Sequence, residues 1–481
     1  MLFNSLAFFL FFPIVTIIYF ILPHNFRWIH LQLSSCVFYM AFIPIYIFIL
    51  FFTIIIDYIA GIVIENAEGK KRKLFLIISL VSNIGLLAVF KYYNFFIGNL
   101  NGLFTGTDHS VPLLQIALPI GLSFHTFQAM SYTIEVYRGN HKAERHFGIY
   151  ALYVMFYPQL VAGPIERPQN LLYQFRQKKQ FDYDSVVNGL KLMMWGFFKK
   201  VVIADRLAII TDPIFKTPRH HTHIDILVAA FFFSFQIFCD FSGYSDIAIG
   251  AARVMGFRLM KNFDRPYNAK SISEFWKRWH ISLSSWFRDY LYISLGGNRV
   301  SVPRWYFNIF FVFLISGFWH GANWTFIVWG ALHGFYSIFA ILTAKTRQKI
   351  NETIGITKVK WLYDFSQVFI TFTLVMLGWI FFRANNISDA LYMLQQVPAA
   401  IADIYHGLAG DMPLETKTSW GMAFAVIGVL EAIHLIQRKN NVLSLVNGRP
   451  IYVRWAAYYA IIFIIIFLGV FDNRQFIYFQ F

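Results

Sequence analysis

Charge is scarce in this chain: Asp, Glu, Lys and Arg make up 14% of its 481 residues, against about 25% in a soluble domain. So little polar surface cannot cover a globular protein of this length. Acids are scarcer than bases, 25 against 41, which leaves a formal charge of +16. Only two cysteines occur, Cys36 and Cys239, both inside apolar stretches, which argues against a disulfide framework or a thiolate metal site. A phosphate-cradling glycine loop, a nucleophile elbow and an HExxH zinc motif are missing. No linker tract or long charge block interrupts the chain, so a single domain over residues 1–481 is expected, its motifs concentrated at 113–343. Neither a repeat period nor an inverted duplication is visible, which weighs against a secondary transporter.

What is abundant is apolar: 57% of residues are hydrophobic, 20% are aromatic, and the mean hydropathy is +0.53. A bilayer core about 30 Å thick takes roughly 20 apolar residues per helical crossing. Crossings are expected at 3–22, 31–43, 45–64, 74–97, 113–134, 186–210 and 224–246, then at 304–320, 323–343, 364–383, 420–436 and 452–471. The fold class is therefore an all-α polytopic membrane protein with about 11–12 transmembrane helices. The apolar N-terminus lacks a basic n-region and a cleavage site and reads as a retained first span.

Lys and Arg sit mostly in short loops, as orientation by positive charge requires, so nucleic acid need not be invoked. None occurs from Tyr92 to Tyr137 or from Ala384 to Thr416, which places the loops at 98–112 and 384–419 outside. The basic runs at 70–73, 138–145, 167–179, 345–360 and 438–454 belong in the cytoplasm, and both termini come out external. Residues 148–163 then have cytoplasmic flanks on both sides and end in Pro158, Gly163 and Pro164. A segment that enters and returns needs protein or a water-filled cavity to satisfy its backbone, which points to a central tunnel with re-entrant and interfacial helices around it.

Three clusters carry polar chemistry. In 271–299, read as a helix, Trp276, Trp279, His280, Leu283, Trp286 and Tyr290 recur at spacings of three and four, with Lys277, Arg278 and Asp289 elsewhere. That stripe also describes an interfacial helix with snorkelling cations, in which His280 is a packing residue. In GFWHGANW, 317–324, His320 stands between apolar spans among glycines. An imidazole there is either reactive or tolerated in a hairpin turn. In 235–250, Asp240, Ser242, Tyr244, Ser245 and Asp246 interrupt an apolar run. The acids either pair with Arg253, Arg258 or Lys277 or line an acceptor path. Ser284, Arg288 and Asn323 complete the set of path candidates with Trp276, Asp289, Asp240, Tyr244 and Asp246. His220, His221 and His223 have no acidic or cysteine neighbour at ligand spacing, so no metal site is expected there. His125, His333 and His434 lie in spans and read as packed, hydrogen-bonded residues.

At these motifs the chain resembles the membrane-bound O-acyltransferase superfamily, in particular its alginate O-acetyltransferase-like branch. The resemblance runs through LPIGLSFHTFQAMSYTIEVYRG (118–139), FYPQLVAGPIERP (156–168), CDFSGYSDIAIG (239–250), FWKRWHISLSSWFRDYLYISLGGNR (275–299), FWHGANWTFIVWGALHG (318–334) and the closing FIYFQF. It implies two functional histidines, here His280 and His320; many eukaryotic relatives carry asparagine at the first. His320 would be the general base for an acceptor hydroxyl, and His280 would bind, orient or polarise the donor carbonyl. The donor implied is cytoplasmic acetyl-CoA, a substrate and not a bound cofactor. Its phosphates would meet Arg258, Lys261, Arg265, Lys277, Arg278 and Arg288. The acceptor implied is an exported polysaccharide, reached through an extracytoplasmic partner with a hydrolase-like fold, and the setting is a bacterial cytoplasmic membrane. Two alternatives stay open: D-alanyl transfer to teichoic acid, and proton-coupled transport of a polar solute.

Overall fold

The computed structural model describes residues 1–104, 111–116, 118–161, 163–406, 414–438, 446, 448–472 and 476–479. The loops expected outside at 98–112 and 384–419 lie partly beyond the described residues. Among the described residues every regular element is helical. Seven helices among the described residues are long and apolar enough to cross a membrane: Pro44–Asn66, Gly69–Leu103, His223–Val254, Trp324–Leu342, Lys360–Arg383, Thr416–Gln437 and Ile451–Leu468. Each falls on an expected crossing, and the chain is a multi-pass, all-α membrane protein. The expected first span is the shorter apolar helix Leu6–Ile21. Elsewhere the boundaries differ: the stretch expected at 113–134 is irregular over 111–116 and helical only from Leu122.

The chain folds into two compact units, each assembled from separated stretches: Met1–Met193 with Tyr244–Lys261, and Met194–Gly243 with Asn262–Phe481. The first unit holds α1 (Leu6–Ile21), α2 (His24–Met40), α3 (Ile47–Asn66), α4 (Gly69–Leu87) and α5 (Leu122–Tyr137). α6 (Phe147–Met155), α7 (Tyr157–Leu160) and α8 (Pro168–Arg176) follow. Pro44 opens a 3₁₀ turn that ends the α2–α3 hairpin, as its missing N–H dictates. α3, α4 and α5 share a buried polar knot, in which Ser79 Oγ donates to Asp57 Oδ1 at 2.6 Å and Asn83 Nδ2 to Asp57 Oδ2 at 2.9 Å. A carboxylate at such depth persists only when so satisfied. The segment expected to enter and return is a helix broken at Phe156, with Leu152 and Tyr157 both fully buried. Its backbone is satisfied by protein: Tyr157 N–H donates to Ser35 Oγ at 3.1 Å, and the Tyr153 carbonyl accepts from Gln159 Nε2 at 2.9 Å.

The second unit contains α9 (Asp205–Lys216), most of α10 (His223–Val254), α11 (Ile272–Arg278), α12 (Ile281–Trp286), α13 (Val302–His320), α14 (Trp324–Leu342) and α15 (Lys360–Arg383). α13 and α14 cross with their backbones in contact. A Cβ on Gly317 would lie 2.3 Å from the Phe326 carbonyl oxygen, and one on Gly330 would lie 2.4 Å from that of Phe313. Small residues at such a crossing are the usual basis of helix association in membranes. The expected helix over 271–299 is corrected: it breaks at His280, whose φ of 43° and ψ of 56° are left-handed, and it loosens into a π-helical turn over Phe287–Tyr292.

Candidate active site

The second unit gathers the two candidate histidines around one set of aromatic rings. His320 is the last residue of α13 and is 4% exposed. The next residue is glycine for a steric reason, since a Cβ on Gly321 would sit 2.1 Å from the Phe326 ring. The His320 imidazole meets Trp319 at 4.8 Å, Trp329 at 5.0 Å, Phe382 at 5.3 Å and Tyr478 at 5.6 Å between ring centroids. His280, 1% exposed, caps α12 and packs edge-on against Phe241 at 4.6 Å. Phe241 in turn lies 4.6 Å from Tyr478. The two buried imidazoles are thus linked through the Phe241 and Tyr478 rings in one aromatic cluster.

Burial pulls the His280 pKa down to about 3, so the ring is neutral at physiological pH and keeps one nitrogen lone pair. Its Nδ1 lies 3.0 Å from Asn262 Oδ1, and Ser282 Oγ is bonded to the same oxygen at 2.9 Å. Non-glycine residues adopt such left-handed backbone at a cost, and they cluster at functional sites.

A buried ion cluster adjoins the segment that carries Tyr478. Lys200, in a π-helical turn over Phe198–Ala204, places Nζ 2.8 Å from Asp205 Oδ1 and 2.8 Å from Asp240 Oδ1. The other oxygen of Asp240 accepts the Ile477 N–H at 2.8 Å, which ties down the segment carrying Tyr478. Asp205, Asp212, Lys216, Gln236, Asp240 and Ile477 are among the residues lining a cavity of about 610 Å³. Asp240 therefore pairs with Lys200 and not with any partner expected from the sequence.

The remaining candidates divide. Trp276 is drawn to the histidine side: its Nε1 donates to His333 Nδ1 at 3.3 Å, and its ring lies 5.6 Å from Trp329. His333 is accordingly packed and hydrogen-bonded. Ser284 Oγ donates to the Trp279 carbonyl at 3.1 Å. Asn323 caps α14 by accepting the Thr325 N–H at 3.0 Å. Arg288 and Asp289 pair with each other at 2.8 Å on the surface. Tyr244 and Asp246 belong to the first unit, where the Tyr244 ring packs 4.5 Å from Phe3.

Of the basic candidates, Arg258 and Lys261 also belong to the first unit, while Arg265, Lys277 and Arg278 are in the second. Arg278 is paired with Glu274 at 2.5 Å and Arg265 with Asp264 at 3.1 Å. The extended backbone at Arg258 is clamped from α8, since Gln174 both accepts the Arg258 N–H and donates to its carbonyl, each at 2.9 Å. Nearby, Glu166 Oε1 accepts the Met260 N–H at 2.5 Å, and burial raises the Glu166 pKa to about 7.

Sequence reasoning passed over Asn262, Phe241, Tyr478 and Lys200. Tyr478 lies in the FIYFQF motif, where spacing gives it no role, and Asn262 and Lys200 carry no local mark. In the histidine loop, His223 Nδ1 lies 3.1 Å from Asp403, a partner supplied from far along the chain.

Residues 145–384 match the membrane-bound O-acyltransferase family (MBOAT). The chain is 40% identical over 400 residues to the probable alginate O-acetylase AlgI of Pseudomonas aeruginosa, covering 82% of this chain and 74% of that one. It is 37% identical over 429 residues to the peptidoglycan O-acetyltransferase of Helicobacter pylori, covering 82% and 79%. A teichoic acid D-alanyltransferase of Streptococcus thermophilus is 31% identical over 286 residues, covering 55% and 68%.

Proposed function

The chain belongs to the membrane-bound O-acyltransferase family and is an O-acyltransferase; from that premise we propose that it moves acetyl groups from cytoplasmic acetyl-CoA to an exported or cell-wall polysaccharide. The proposed setting is a bacterial cytoplasmic membrane. The observation that carries the reading is the shared aromatic cluster, in which two buried imidazoles are joined through Phe241 and Tyr478. The activities for which the alginate and peptidoglycan relatives are named support acetyl as cargo and polysaccharide as acceptor.

In the proposed reaction an acceptor hydroxyl meets the thioester beside His320. The imidazole takes the hydroxyl proton as oxygen bonds to the acyl carbon, a contribution typically about 10²- to 10⁴-fold. The carbon–sulfur bond breaks, and the proton passes from His320 to the departing thiolate, giving an acetyl ester and free CoA thiol. His280 holds the donor. The Trp, Phe and Tyr rings exclude water, which would otherwise intercept the acyl group. Within the second unit the cation candidates for the CoA phosphates are Arg265, Lys277, Arg278 and Arg288, and an extracytoplasmic hydrolase-like partner relays acetyl to sugar.

The test is transfer of label from acetyl-CoA in membranes containing the chain and its partner. Acetyl must appear on polysaccharide with wild-type protein and vanish with His320→Ala at matched protein levels. Label carried instead only from a D-alanyl carrier protein would move the cargo to that of the teichoic acid relatives. Solute uptake without CoA would replace the enzyme reading with a transporter.

A further inference from the structure

Asn262, 1% exposed, engages the turn at His280 with both its backbone and its side chain. Its carbonyl accepts the Ile281 N–H at 2.9 Å. Its Oδ1 is bonded to His280 Nδ1 at 3.0 Å, to the Ser282 N–H at 3.3 Å and to Ser282 Oγ at 2.9 Å. A backbone N–H only donates, so the atom it meets on Asn262 is the amide oxygen. Oxygen there only accepts, so Nδ1 of His280 carries the ring proton. The lone pair of the neutral ring is then on Nε2. The same bonds hold His280 in its left-handed backbone, a conformation that survives where its surroundings over-determine it.

We infer that Asn262 is a positioning residue that fixes His280 as a hydrogen-bond acceptor, and that this acceptor receives an amide N–H from the pantetheine arm of the acyl donor. The inference rests on the acetyl-CoA reading above and alters one part of it. A lone pair cannot polarise a carbonyl by donation, so His280 does not activate the thioester. A pantetheine thioester, by contrast, carries amide N–H donors, the nearer one two carbons from sulfur. With the reacting carbon beside His320, that arm must pass Phe241 and Tyr478, the rings that link the two imidazoles, to meet His280. An asparagine at position 280 would offer an acceptor oxygen of similar kind.

The experiment measures KM and kcat for acetyl-CoA in partner-containing membranes at matched protein levels, for wild type, N262A, H280N, the double variant and N262D. N262A frees the ring to flip its tautomer and raises KM roughly three- to tenfold, the worth of one hydrogen bond, with a smaller change in kcat. In the H280N background the same substitution changes KM less than about twofold, because Asn262 acts through the imidazole. N262D keeps the acceptor bonds but sets a carboxylate against the ring and favours the imidazolium. Its KM therefore rises as pH falls from 8 to 5.5, a dependence wild type lacks. Phe241, Phe263 and Ser282 bring nothing that titrates in that range, and the charged groups on the adjoining elements are already paired, Asp240 with Lys200 and Asp264 with Arg265.

Equal KM penalties for N262A in both backgrounds would make Asn262 a fold support only. A fall in kcat with KM unchanged would return His280 to the chemistry. If N262A does not accumulate, the N262D profile decides, and a flat KM there overturns the inference. Wild-type membranes that transfer no acetyl from acetyl-CoA would overturn the parent reading, and this one with it.

Discussion

Replacing Lys200 by methionine removes one cation and keeps the length of the side chain. In the wild type its Nζ lies 2.8 Å from each of Asp205 and Asp240, and the three residues are 1%, 3% and 4% exposed. The substitution leaves two buried carboxylates facing each other without the cation between them. Breaking a buried pair costs about 3–5 kcal/mol, more than the pair contributes when intact, because the abandoned charge stays desolvated. K200M should therefore lower the thermal midpoint of the detergent-purified protein by roughly 5 °C or more. Adding D240N removes one of the two charges yet keeps an oxygen for the Ile477 N–H. The double variant should regain at least about 1 kcal/mol of the loss, a coupling that separates charge from packing. A K200M midpoint within about 1 °C of wild type, or a double variant less stable than K200M, would refute this account of the cluster.

Other consequences are equally open to measurement. With Cys36 and Cys239 as the background, single cysteines at Leu103 and Tyr405, 81% and 86% exposed, should react with an impermeant thiol reagent in intact cells; protection of both until lysis would invert the orientation. Gly317→Ala, whose Cβ would fall 2.3 Å from the Phe326 carbonyl, should cost about 1–3 kcal/mol by overpacking and lower transfer by displacing His320; unchanged transfer and midpoint would show that α13 and α14 can spread. Glu166 is held neutral by burial, its pKa raised from 4.5 to about 7. A raised carboxyl contributes stability that is fully present below 4.5 and lost as pH rises through about 7, so the wild-type midpoint should fall between pH 5 and 8. Glu166→Gln should flatten that slope, and an equal slope in both proteins would assign it to other groups.

The sequence exposed the architecture because bilayer crossings leave a long, one-dimensional record. Seven expected crossings coincide with seven apolar helices. What it hid depends on single residues or on distant partners. The spacing of Trp276, Trp279, Trp286 and Tyr290 suits a helix, yet one left-handed residue, His280, divides it, and a histidine carries no mark of its backbone conformation. Asp240 in an apolar run needs a cation, and the sequence offers Arg253, Arg258 and Lys277, while the fold supplies Lys200 from another helix. Asn262 is unremarkable until the turn at 280–282 is closed around its side chain. His320 was marked by its glycines, and the structure supplies the reason in the Phe326 ring.

The central claim is that His320 removes the acceptor proton while His280 holds the donor, and asparagine substitutions separate the two roles. An amide can accept a hydrogen bond but not a proton near neutral pH. Transfer of label from acetyl-CoA to polysaccharide should therefore remain measurable with His280→Asn and disappear with His320→Asn, in membranes matched for protein. Activity in His320→Asn together with loss in His280→Asn would reverse the assignment and contradict the account.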